Sequence, residues 1–137
     1  MRKIYETDAD RARQQRVSAH LENAWSCKFR KSKSLSCIDG GLFNDDKLKA
    51  IVEVKTRRNT SDKYPTYMLS ARKWREALEL SKRYDVPFLL VVEFTNGVYA
   101  TKVKENYQID KGGRVDRGDA LDIEDCIFIP MQDFKRV

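Results

Sequence analysis

The run Phe88-Leu-Leu-Val-Val-Glu-Phe94 constrains this chain more than any other feature. A stretch this apolar has no polar face to show water, so it reads as a strand covered on both sides. Such a strand requires packing layers above and below it, and the rest of the sequence supplies them. Residues 8–25 place Ala12, Val17, Leu21, Ala24 and Trp25 near one face of a 3.6-residue period, which predicts a helix with Thr7 or Asp8 as its N-cap. Residues 26–30 alternate like a strand, residues 31–34 form a polar turn, and residues 35–39 read as a second strand. Gly40-Gly41 is expected to interrupt regular structure there. After a turn at Asn44-Asp45-Asp46, residues 48–56 form a third strand rich in β-branched side chains.

A polar loop over residues 57–66 leads into a helix over residues 70–84. Ser70 is its N-cap, and Trp74, Ala77, Leu78 and Ser81 lie on its inner side. Trp25 and Trp74 are expected to anchor the two helices to the sheet. Beyond the apolar strand, Asn96-Gly97 signals a hairpin into residues 99–103. Residues 110–119 look like an exposed loop, and residues 126–131 a terminal strand. The order is helix, three strands, helix, strand, then C-terminal strands. It predicts an α/β (α+β) fold with a mixed central sheet flanked by helices, in one domain over residues 1–137.

Composition narrows the function. The chain carries 27 Lys+Arg against 21 Asp+Glu, a formal charge of +6, and a basic balance favours polyanions such as nucleic acid. No apolar run approaches the roughly 20 residues of a membrane helix, and the N-terminus lacks a secretory pattern, so a cytoplasmic location is expected. Three cysteines without a C-x-x-C pair and a single histidine, His20, argue against structural zinc. Cys27 and Cys37 read as small buried hydrophobes, and His20 as a surface or half-buried residue.

The chemistry concentrates between Asp39 and Lys55. Glu53 and Lys55 are two apart on a strand and therefore share a face, opposite Val52 and Val54. Asp39 ends the preceding strand, and antiparallel neighbours can bring it beside Glu53. Charged side chains on an inner strand are costly unless partnered. Two converging carboxylates, with the Val54 backbone carbonyl, suit a hard cation such as Mg²⁺. Lys55 beside them could orient or help deprotonate an attacking water, or stabilise a pentacovalent phosphate. An exposed Glu53–Lys55 ion pair is the alternative. Basic residues flank the segment: Lys28, Arg30, Lys31 and Lys33 before it, Arg57 and Arg58 after it, and Arg72, Lys73 and Arg75 opening the second helix.

Ile38-Asp39-Gly40 together with Ile51-Val52-Glu53-Val54-Lys55-Thr56-Arg57, and the element order over roughly residues 8–95, resemble the PD-(D/E)XK nuclease superfamily of restriction enzymes, Holliday-junction resolvases and phage recombination nucleases. Ile38 stands where the family's nominal proline would be. The resemblance implies a restriction endonuclease-like fold and a Mg²⁺-dependent deoxyribonuclease, with Mn²⁺ as substitute. Asp39 and Glu53 would be metal ligands and Lys55 the catalytic lysine. It also implies a first-helix acidic residue, for which Glu22 is the candidate and Glu6 a weaker one. Lys73, in the first turn of the second helix, would lie near the scissile phosphate. With Lys33, Arg57, Arg58 and Arg72 it forms the expected nucleic-acid contact set. DNA is the implied partner, with a homodimer and a phage-like replication or recombination complex as implied assemblies. A catalytically silent nuclease fold that binds nucleic acid or a protein is the competing expectation. Tyr64 and Tyr67 read as loop packing, with base stacking as the alternative, and Glu93 as a salt-bridge partner within its strand.

Overall fold

The computed structural model describes residues 8–32, 38–113 and 123–137. The main sheet grows outward from the apolar run, which forms β5 (Phe88–Phe94). It pairs in parallel with β3 (Lys47–Thr56) and antiparallel with β6 (Gly97–Lys102). Adding β1 (Lys28–Lys31), β2 (Gly40–Asn44) and β9 (Lys135–Arg136) gives a six-stranded mixed sheet in the order β1-β2-β3-β5-β6-β9. A second, antiparallel sheet has the order β4-β8-β7, from β4 (Thr66–Ser70), β7 (Ile109–Gly113) and β8 (Ile123–Pro130). The mixed sheet and the helix–three strands–helix–strand core agree with the expectation. β4 and β7 do not: β4 fills the stretch between the expected polar loop and the second helix, and β7 the start of the expected exposed loop.

Two layers cover the main sheet. On one face, helix α1 (Asp8–Trp25) buries Val17 and Leu21 against Leu42, Ala50, Val52, Val91, Val98 and Ala100. The buried stripe of α1 is narrower than the periodicity implied, because Ala12, Ala24 and Trp25 are exposed. Trp25, 39% exposed, does not anchor the helix. The helix is held instead by Arg16, whose guanidinium takes both oxygens of Glu93 on β5 at 2.5 and 3.0 Å. That arrangement keeps Glu93 well below the usual carboxylate range, chiefly through the hydrogen bond from Arg16. Thr7 lies outside the described residues, and Asp8 is the first helical residue rather than the residue before it.

On the other face, Ile51, Phe88, Leu90, Val92 and Phe94 pack against helix α2 (Ala71–Tyr84) and the second sheet, through Trp74, Ala77, Tyr67, Leu69, Ile127 and Ile129. Ser70 caps α2 as expected, its hydroxyl accepting the Lys73 N–H at 3.4 Å. Trp74 is buried, and its indole N–H reaches the Lys104 carbonyl at 2.8 Å. Asp85, at φ 54°, closes the helix in the left-handed conformation that short polar residues tolerate.

The expectation that Gly40-Gly41 would interrupt the chain is wrong. Both glycines belong to β2, paired with Arg30 and Lys31 on one side and with Ile51 and Val52 on the other. A Cβ at Gly40 would lie 2.4 Å from the Arg30 carbonyl and 2.7 Å from the Phe29 ring. Glycine is therefore there for close approach between strands, not for a break. The β2–β3 hairpin turns through Asp45 and Asp46, both at positive φ (52° and 62°), the backbone that two-residue hairpin loops require. In the β5–β6 hairpin, Thr95 and Asn96 form the turn, and Gly97 is already paired with Phe94.

Candidate active site

Asp39 stands at the head of β2, not at the end of the strand before it. Two contacts hold its backbone, and a third holds the residue before it. Its N–H donates to the Val52 carbonyl at 3.0 Å, and its carbonyl accepts the Ser32 N–H at 2.9 Å. The Ser32 hydroxyl donates to the neighbouring Ile38 carbonyl at 2.5 Å. Its side chain turns toward β3, where Oδ2 accepts the Val54 N–H at 2.6 Å. The N–H and C=O of one strand residue leave on the same edge, so the Val54 carbonyl also faces the Asp39 side. There it lies past the last β2–β3 pair, Gly40 with Val52.

Glu53 is 2% exposed, on the inner face of a strand flanked by β2 and β5. A buried carboxylate demands compensation, and two lysines provide it. Lys55 Nζ is 3.3 Å and Lys73 Nζ 3.1 Å from Glu53 Oε2. Lys55 arrives by strand alternation and Lys73 from the first turn of α2, so β3 and α2 converge on one oxygen. The alternative of an exposed Glu53–Lys55 pair is excluded by this burial. Asp39 is pushed up to about 6, first by burial and then by the nearby Glu53, against the opposing pull of the Val54 N–H, Lys55 and Lys73. Two carboxylates that repel one another, with a carbonyl on the same edge, make an all-oxygen donor set that a divalent cation would relieve. No group of three or more His, Cys, Asp or Glu side chains suited to a metal occurs among the described residues.

Glu22 accepts the Phe29 N–H at 2.8 Å, joining the end of α1 to β1. The charged groups acting on Asp39 are Glu53, Lys55 and Lys73. Arg57, Arg58 and Arg72 are exposed, whereas Lys33, Glu6 and Cys37 lie outside the described residues. His20 is exposed, with Nε2 2.9 Å from the Val137 carbonyl.

One residue escaped the sequence reading, and Tyr67, read as loop packing, stands on β4 instead. Ser32 pins the segment leading to Asp39; nothing in a polar Ser-Lys-Ser turn marks it. Tyr67 is 5% exposed, and its hydroxyl is buried with no hydrogen-bond partner among the described residues. Burial pushes this phenol up to about 12, with Arg57 and Glu53 the charges acting on it. The Arg57 guanidinium lies 5.0 Å from the centre of its ring. The short apolar run Tyr67-Met68-Leu69 ahead of the helix was the available signal.

A protein-family model described as phage putative PDDEXK endonuclease matches residues 1–137. The chain belongs to that family. Among solved structures, this PDDEXK chain is similar to Archaeoglobus fulgidus Hjc, described as a Holliday junction resolvase from an archaeal hyperthermophile, with a TM-score of 0.64 and 11% identity over 93% of this chain and 90% of that one. At that identity the likeness concerns the fold, which is restriction endonuclease-like. No curated protein matches the chain. No helix among the described residues is long and apolar enough to cross a membrane.

Proposed function

We propose that this PDDEXK chain is a divalent-metal-dependent endonuclease that hydrolyses DNA phosphodiester bonds, working as a single domain over residues 1–137. The observation that carries the reading is the buried Glu53, bracketed by Lys55 and Lys73 and set against the Asp39 carboxylate. A structural ion pair needs one cation and no second carboxylate. Asp39, Glu53 and the Val54 carbonyl would hold Mg²⁺ or Mn²⁺. When bound, the cation supplies Lewis acidity to the phosphate and lowers the pKa of water.

The side chains of the site supply the rest. The Val54 N–H fixes the Asp39 carboxylate, so one oxygen is committed to the backbone and the other can serve a ligand. Lys55, with 37% of its side chain exposed, can leave Glu53 and donate to a non-bridging phosphate oxygen or to the attacking water. Either contact would favour the pentacovalent transition state over the ground state. Lys73, in the first turn of α2, would neutralise the scissile phosphate beside the helix N-terminus. Arg57, Arg58 and Arg72, with Lys33, would contact the flanking backbone.

Incubating plasmid, linear and branched DNA with the protein and Mg²⁺ or Mn²⁺ tests this reading. Branched DNA is included because Hjc is described as a Holliday junction resolvase. Wild-type cleavage is expected, with loss of at least about 100-fold in Asp39→Ala and Lys55→Ala, the scale on which removing a transition-state donor acts. Unchanged rates in both variants would sink the assignment. Calorimetric titration supplies a readout independent of activity: Mg²⁺ or Mn²⁺ should bind the wild type and not Asp39→Ala.

A further inference from the structure

A cavity of about 380 Å³ lies between the segment after β3 and the edge strand β4 of the second sheet. That is the small end of ligand-sized pockets, roughly 300–1,000 Å³. Phe94, Phe128 and Met131 supply apolar wall, Tyr64 and Met68 line it while 56% and 40% exposed, and Arg57 and Tyr67 complete it. Tyr64 and Met68 thus leave two large side chains accessible at the cavity. The polar groups converge as well. Asn59 and Ser61 line the cavity on the side of the segment after β3. Arg57 is an exposed cation over the Tyr67 ring, two residues along the chain from Lys55.

We propose that this cavity takes one unpaired nucleobase of the strand being cut, stacked on Tyr64, with its adjoining phosphate on Arg57. The inference rests on the nuclease reading above and deepens it. Three observations favour a nucleotide over an apolar side chain of a protein partner. The aromatic and apolar wall suits a base, whose faces stack on any aromatic ring. The cation at the same opening suits the phosphate that every nucleotide carries. Arg57 lines the cavity directly after β3, two residues beyond Lys55, so its occupant would belong to the strand at the scissile bond. The loop forming this wall is held in place. Asn96 of the β5–β6 turn accepts the Ser61 N–H and donates to the Ser61 hydroxyl, each at 2.9 Å. The pocket is therefore built before any ligand arrives.

The test uses the full chain and a short single-stranded DNA oligonucleotide, intact or with one abasic residue placed in turn at each position. Fluorescence anisotropy in EDTA reads binding, and the same strands with Mn²⁺ read the cut position. One abasic position should weaken wild-type binding roughly ten-fold, the loss expected when one stacked base is removed. Tyr64→Ala should show the same loss on the intact strand and no further loss on that abasic strand, while Tyr64→Phe restores binding. The cut should fall within one or two nucleotides of that position. The proposal is overturned if no abasic position matters, if Tyr64→Ala weakens intact and abasic strands equally, or if no strand binds. A strand that binds with the expected pattern but is never cut removes the nuclease reading and leaves the pocket. Cleavage indifferent to every abasic position does the reverse. Competition by an apolar peptide and not by DNA would assign the cavity to a protein partner.

Discussion

Asp39 is placed where it costs the fold stability, and the cost can be measured. Asp39 is pushed up to about 6 in the metal-free protein, so the folded state binds a proton more tightly than the unfolded chain. For a carboxylate raised in this way, stability is lost as pH rises from the unfolded value of 3.8 through about 6. In EDTA at pH 8, Asp39→Asn is therefore expected to be more stable than wild type by about 1–2 kcal/mol. The gain should vanish near pH 4, where both side chains are neutral; denaturant melts at the two pH values read the difference. An Asn that destabilises equally at both would show that Asp39 is kept by its Val54 contact alone. Glu22 allows a sharper separation of roles. Its visible task is to accept the Phe29 N–H, which Gln can also do. Glu22→Gln should keep stability within about 0.5 kcal/mol and keep nuclease activity if that task is the whole of it. A loss of activity without loss of stability would place its charge in the chemistry, as the family resemblance implied.

At the scale of elements, the site depends on two short stretches of backbone brought close, and their sequence signals differ in kind. Glu53 and Lys55 were legible because a period of two leaves no choice of face, and Asp39 because a hairpin could bring it alongside. Gly40-Gly41 was misread because glycine marks both breaks and tight approaches, and only the Phe29 ring across the strand pair distinguishes them. β4 and β7 were missed because each is five residues long, in a satellite sheet with polar or glycine-rich neighbours. Trp25 was misplaced because periodicity gives a helix face but not how far the sheet extends beneath it. The glycine reading carries its own prediction. Gly40→Ala forces a Cβ to within 2.4 Å of a backbone carbonyl, which rotamer changes cannot relieve, and should cost about 2 kcal/mol or more. Because Asp39 is the preceding residue, metal binding by titration should fall with it; normal affinity in a destabilised variant would separate the glycine from the site. The bridge between layers is tested similarly. Arg16→Ala frees Glu93, and should lower stability at pH 7 by about 0.5–1 kcal/mol, the partly exposed geometry keeping the figure small. Glu93 is lowered by this contact, so the contribution is present above its unfolded pKa and lost as pH falls through the folded value. The melts of the variant and wild type should converge in acid, and a constant gap would deny the ion pair.

Over the whole molecule, a net +6 says only that polyanions are favoured. Its value as an argument comes from where the structure puts the cations. Arg57 and Arg58 follow directly on β3, which carries Glu53, and Arg72 opens α2 next to Lys73, which touches Glu53, so four cations adjoin the site's elements along the chain. Other basic residues are already spent: Arg11 and Arg13 pair with Asp8 and Asp10 within α1, Arg16 with Glu93, Arg30 with Asp46, and Lys111 with Asp125. Lys73 itself touches Glu53, which costs a nuclease nothing if phosphate and metal arrive together and share out the charges. If these four cations are the phosphate contacts, binding of duplex DNA should release their counterions, and log K should fall against log salt with a slope of roughly −3 to −4. Replacing Arg57, Arg58 or Arg72 singly with Ala should reduce that slope by about 1 each. Arg11→Ala and Arg30→Ala should leave it unchanged, because their charges are engaged elsewhere and their elements lie away from the opening of α2. Anisotropy titrations across a salt series measure all five variants. A slope near −1, or equal losses from replacing Arg11 and Arg57, would mean that DNA does not cross this face, and would take the phosphate roles of Arg57, Arg58 and Arg72 with it.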